Sequence, residues 1–160
     1  MKRCAIICTG PSLDSVNWQF MPSDRIAVNY AAYVTPDCKY VAILDNNLIS
    51  NNPDLFWNRT LVTSNRTENM RRSTNCNLPT NRLIINDVLY SIHCAVKFMI
   101  GLGFDHITFV GMDGGGKRAL CVKEYYGIED EEKCGNNNHI HHETIMWELI
   151  KHKVAYKMLR

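Results

Sequence analysis

A chain of 160 residues with 18 basic and 16 acidic side chains has room for one domain of ordinary size and carries a net charge of only +2. Apolar residues at 46% and charged residues at 21% exclude wholesale disorder, a coiled coil and a collagen-like rod. The near-neutral balance leaves no electrostatic footprint for sequence-specific nucleic-acid binding or for an anionic membrane, and no run approaches the ~18 apolar residues of a membrane span. The first apolar run covers about five residues, shorter than the ~7–15 of a signal-peptide core, and Gly10-Pro11 ends it. Seven cysteines at irregular spacings therefore read as reduced thiols of a cytoplasmic protein, most of them core fillers. Sixteen asparagines point to many turns and polar loops.

In chain order, residues 3–8 form a short isoleucine-rich run closed by Thr9-Gly10-Pro11-Ser12, the pattern of a buried strand turning into a helix. Residues 25–29 and 40–44 predict two more strands, the third ending in Asp45-Asn46-Asn47, and residues 60–63 predict a weaker fourth. Residues 65–80, rich in Asn, Arg and Thr and without period, read as a loop. Ile92, Ala95, Val96, Met99, Ile100 and Leu102 recur at helical spacing up to Gly101-Leu102-Gly103, followed by a strand over 107–110 and the glycine-rich loop 111–116. A long polar loop over 114–142, a helix over 142–151 and a strand over 154–159 complete the chain. The expectation is an α/β fold over residues 1–160: a single Rossmann-like, doubly wound, mostly parallel sheet with helices on both faces. Compact size and open sheet edges add a homo-oligomer as a prior.

In such sheets ligands sit where strands end and helices begin, and free N–H groups at a helix start hold phosphates. Residues 8–13 form a turn of that kind, with Thr9 and Ser12 as hydroxyl donors and Gly10 permitting the turn. The fingerprints of nicotinamide enzymes and of P-loop proteins are both missing from it.

Residues 2–13, Lys-Arg-Cys-Ala-Ile-Ile-Cys-Thr-Gly-Pro-Ser-Leu, resemble the opening of the bacterial lipooligosaccharide sialyltransferase family. They are also similar to a related group that includes archaeal hydroxymethylpterin pyrophosphokinase-like and motility-associated proteins. The resemblance runs through Met21-Pro22-Ser23-Asp24 to Asn29 and returns at Ser91, Gly103-Phe104, Ile107 and Val110-Gly111-Met112-Asp113, together about a third of the chain. It implies that Gly10, Pro11, Ser12, Asn29 and Ser91 hold the nucleotide of a CMP-sugar donor. It also implies that a histidine before the last helix is the general base. Among His139, His141 and His142 the choice falls on His141, then His142; an imidazole with a pKa near 6.5 suits proton abstraction at neutral pH. Two positions depart from the family: Thr9 replaces a nucleotide-contacting asparagine, and Ser91 lies in Tyr90-Ser91-Ile92 rather than Thr-Ser-Gly. The chain is also shorter than those enzymes, chiefly in the acceptor-binding lid.

Asp45 and Asp113 stand at strand ends, where each suits a ribose or sugar hydroxyl or simply a turn. Neither belongs to an Asp-x-Asp pair, so the expected transfer needs no metal and no cofactor. Tyr125 and Tyr126, with Lys117 and Arg118, are candidates to close on a phosphate, a use of loop tyrosines that the resemblance also implies. Cys121, Cys134, His139 and His141 offer zinc ligands, but their Cys-x12-Cys-x4-His-x-His spacing lacks the close cysteine pair of common zinc sites.

The leading expectation is a small glycosyltransferase-like enzyme that takes a nucleotide-activated sugar to a hydroxyl acceptor. The alternative is a non-catalytic nucleotide-binding or nucleotide-sequestering module. A third reading, a pyrophosphokinase dependent on ATP and magnesium, would call for clustered carboxylates.

Overall fold

Seven short, largely apolar runs pair into one sheet in the computed structural model, which describes residues 1–35, 37–56, 58–74, 78–113, 117–126 and 138–159, without the side chains of 71–74, 125, 126 and 138–140. The strands are β1 (Arg3–Ile7), β2 (Arg25–Val28), β3 (Tyr40–Ala42), β4 (Thr60–Ser64), β5 (Arg82–Ile85), β6 (His106–Val110) and β7 (Ala155–Met158). Their order is β5-β4-β3-β2-β1-β6-β7, and every neighbouring pair is parallel. This is an α/β fold.

A parallel sheet covered on both faces needs strands that are apolar on both sides, which is why β1 reads as an unbroken run. Cys4, Ile6, Ile26, Val28, Val62, Ile107 and Phe109 face one layer, with Ala95, Met99, Ile145 and Leu149 of α4 (Ser91–Gly101) and α6 (Asn138–Lys151). The alternate residues Ala5, Ile7, Ala27, Val41, Leu61 and Val110 face the other, with α1 (Ala31–Val34), α2 (Asn46–Asn51) and α5 (Leu120–Tyr126).

Three expectations need correction. The loop expected over 65–80 contains α3 (Asn65–Thr74) and is followed by β5. α3 has almost no apolar residue to betray a period. It is held instead by Ser64, whose Oγ accepts from the Thr67 N–H (3.1 Å), and by a bidentate Glu68–Arg82 pair at 2.9 Å. The polar loop expected over 114–142 contains α5 and the first turn of α6, which begins at Asn138 rather than at 142. The helix expected after Gly10 is a single 3-10 turn, Pro11–Ser15.

The chain runs outward from β1 to β5, then α4 carries it back across the sheet to β6 on the other side of β1. The order reverses between β1 and β6, and the carboxyl ends of these two strands open a crevice there.

Candidate functional site

The loops leaving β1 and β6 are tied together before any side chain reaches the crevice. Cys8 N–H donates to the Val110 carbonyl (2.7 Å) and Gly10 N–H to the Gly111 carbonyl (2.8 Å). In return, Gly111 N–H donates to Ser12 Oγ (2.9 Å) and Ser12 N–H to Asp113 Oδ2 (2.8 Å). The approach is so close that a Cβ on Gly10 would lie 2.5 Å from the Gly111 carbonyl oxygen and 2.6 Å from Asp113 Oδ2. Gly111 has φ +68, and a Cβ there would run into the Cys8 carbonyl. Gly10 itself has an ordinary extended backbone (φ −74, ψ 168), so its glycine answers to space and not to a left-handed turn.

Above this clasp lies a cavity of about 380 Å³, whose walls include Thr9 and Asp113 from the two loops, Asn29 after β2, Ser91 at the start of α4, and His141 and His142 from α6. Six residues selected from the sequence thus converge on one cavity at the switch point of the sheet. Tyr90, Ile145 and Met158 add apolar wall that sequence reasoning missed. The signal for Tyr90 was its position directly before Ser91, at the entry of the longest apolar helix pattern.

Each wall has a local cause. Asn29 adopts a left-handed backbone (φ 52), which asparagine tolerates better than most residues, and so ends β2 abruptly. Its N–H donates to the Ala42 carbonyl (3.1 Å), while its Oδ1 is buried with no hydrogen-bond partner among the described residues. Ser91 Oγ accepts from the Leu44 N–H (3.1 Å), tying the first turn of α4 to the end of β3. Tyr90, the residue before that helix, makes no side-chain cap hydrogen bond, and the positive dipole end of α4 meets the cavity wall.

His141 is half-buried and lies on the Tyr90 ring, centroids 3.7 Å apart with planes at 35°. Burial holds its pKa below the ordinary histidine value, so the ring is neutral at pH 7. His142 is exposed. Burial pushes the Cys8 thiol up to about 12, with the Asp113 carboxylate adding to the effect. Cys8 therefore stays protonated and is no nucleophile.

Other selected residues stand elsewhere. Ser12 is buried and its hydroxyl braces Gly111; Gly10 belongs to the clasp and Pro11 opens the 3-10 turn after it, and neither lines the cavity. Asp45 caps α2: its Oδ1 accepts from the N–H groups of Asn47 (2.8 Å) and Leu48 (3.2 Å). Cys121 sits at the start of α5, where its N–H and that of Leu120 donate to Asp14 at 3.0 and 2.6 Å. Desolvation raises that carboxyl, but these bonds and Lys123 outweigh it and hold Asp14 below its ordinary value. Tyr125 and Tyr126 end α5, but their side chains lie outside the described ones, as does that of His139; Cys134 lies outside the described residues altogether. Among the described residues no three His, Cys, Asp or Glu side chains gather as a metal site. Nor is any described helix long and apolar enough to cross a membrane.

No family model matches the chain, and no curated protein matches it. Among solved structures, thiamine pyrophosphokinase from Bacillus subtilis is similar, with a TM-score of 0.51 and 11% identity over 98% of this chain. The match covers 60% of the neighbour, so this chain spans less than two thirds of its length. At that identity the likeness is one of fold.

Proposed function

We propose that the cavity binds a nucleotide-activated sugar of the CMP-sugar type and that the protein transfers the sugar to a hydroxyl acceptor without a metal. The observation that carries this reading is the convergence of Thr9, Asn29, Ser91, Asp113, His141 and His142 on one cavity where the strand order reverses. The resemblance of residues 2–29 and 91–113 to the lipooligosaccharide sialyltransferases supports the same reading. Buried Asn29 Oδ1 lacks a donor that a base amine or a ribose hydroxyl would supply. The uncapped start of α4 favours the phosphate. His141, neutral at pH 7, takes the proton of the acceptor hydroxyl as its oxygen bonds to the anomeric carbon. The bond from that carbon to the phosphate oxygen breaks, and the nucleoside monophosphate leaves. That leaving group carries less charge than a diphosphate and needs less neutralisation. The irregular spacing of the seven cysteines, read as reduced thiols, suits a cytoplasmic setting.

Incubation with CMP-, UDP- and GDP-activated sugars, and separately with ATP and magnesium, tests the proposal by mass spectrometry of the products. Release of CMP that falls by a factor on the order of 100 or more in His141→Phe is the expected result. Recovery of every donor unchanged, with one tightly bound, would instead make the chain a nucleotide-sequestering module. Formation of AMP from ATP would favour pyrophosphoryl transfer, the chemistry in the name of the solved neighbour.

A further inference from the structure

The side of α6 that meets α4 carries His141, Ile145 and Glu148, spaced four and three residues apart, with His152 just past the helix end, and the entry of α4 carries Tyr90 and His93. Two polar pairs form across this one helix contact. His141 lies on Tyr90 at the cavity; two turns further along α6, Glu148 Oε1 lies 3.4 Å from His93 Nε2. His93 and Glu148 are 4% and 5% exposed, and sequence reasoning passed over both.

Leu89 N–H donates to His93 Nδ1 (3.3 Å), so that nitrogen carries the lone pair and the proton sits on Nε2, toward the carboxylate. Leu89 directly precedes Tyr90, so a single imidazole bridges α6 to the backbone that carries the cavity wall. Desolvation lowers the His93 pKa against the upward pull of Glu148, which keeps the ring neutral at pH 7. The second carboxylate oxygen faces His152 Nε2 at 3.4 Å without a hydrogen bond. Such a buried carboxylate is costly, and an apolar pair would pack α4 on α6 more cheaply. What the polar pair adds is register, because its donor and acceptor meet in one relative placement of the helices. A slip of α6 by one turn would carry His141 about 5.4 Å away from Tyr90.

We propose that His93 and Glu148 are positioning residues, a buried pair that holds α6 in register on α4 and so keeps His141 stacked on Tyr90 at the cavity. The inference rests on the proposed function only where ligand binding is read; the placement of His141 is read without any ligand.

The test is imidazole NMR of the parent, Glu148→Gln and Glu148→Ala through a pH titration, with cytidine monophosphate affinity measured on the same samples. In the parent, the His141 ring protons are shifted upfield by Tyr90 and the ring titrates below 6.5. Glu148→Gln keeps an acceptor for the Nε2 proton, so both features persist and affinity stays within about threefold, whereas Glu148→Ala weakens binding on the order of tenfold or more. In Glu148→Ala the upfield shift is also lost and the His141 titration returns to about 6.5. A folded Glu148→Ala protein whose His141 is shifted and titrates as in the parent overturns the proposal. If Glu148→Ala does not fold, the double variant His93→Phe/Glu148→Leu, which removes both members of the buried pair and leaves only the Leu89 N–H without its acceptor, decides instead. Loss of the upfield shift there supports the positioning role, and a parent-like His141 overturns it. A parent that binds no cytidine monophosphate sinks the ligand reading, while the His141 readings still decide the positioning.

Discussion

The two walls of the cavity are built by different means. On one side the loops after β1 and β6 are laced by backbone N–H groups, with Ser12 and Asp113 completing the lacing and glycine needed at 10 and 111 for the strands' exits to approach. On the other side α4 and α6 add polar side-chain pairs to their apolar contact: Tyr90 and His141, then His93 and Glu148. The first wall is held mainly by backbone groups, with the Asp113 carboxylate among its acceptors. The second can change with a proton. A floor of backbone bonds faces a wall of side chains, a division that suits the proposed function, in which a ligand is held and a proton moved.

Substitutions that add or remove single groups in the floor should break it most sharply. Gly111→Ala forces a side chain into a left-handed backbone and into the Cys8 carbonyl. We expect a loss of about 3 kcal/mol or more, read as the shift of the urea midpoint. Ser12→Ala leaves the Gly111 N–H buried without its acceptor. It should cost about 1–3 kcal/mol by the same measurement, and so it is no innocent probe of ligand contact.

The helix wall should respond to pH instead. Burial lowers the pKa of both His93 and His141, so between their folded values and the unfolded value near 6.5 the unfolded chain binds more protons than the folded one. Stability is therefore full above about 6.5 and declines as pH falls below it. Melting temperatures taken from pH 7.5 down to 5.5 should show the decline, and His93→Phe/His141→Phe should flatten it. A parent curve already flat over that range would contradict the assignment. The smallest expected effect lies far from both walls. A Cβ on Gly101 meets open space, and Gly101→Ala should raise stability by up to about 1 kcal/mol, by helix propensity alone.

How much of this was legible in the sequence follows from burial. Strands β1, β2, β3 and β6 are covered on both faces, so each reads as an apolar run. α3 and the first turn of α6 are polar and leave no period to find. The edge strand β5, with Leu83 and Ile84 exposed, lies beside an Asn- and Thr-rich stretch that masks it. Thr9, Asn29, Ser91 and Asp113 were legible because open sheets put ligands at strand ends. His93 and Glu148 were not, because a buried polar residue interrupts the apolar stripe of a helix and looks like surface. Starting α6 at 142 also broke the spacing that joins His141 to Glu148. The case of Gly10 differs again: its need for glycine was legible, but the cause is the carbonyl and carboxylate across from it.

The central claim is that the crevice between β1 and β6 is a nucleotide site. Backbone amide NMR of the parent during titration with cytidine monophosphate tests it most directly. The account predicts saturable shifts that are largest at Thr9, Asn29, Ser91, Gly111 and His141, around the one cavity. Saturating cytidine monophosphate that leaves these amides unmoved, or that moves a set on another face of the sheet, would contradict it.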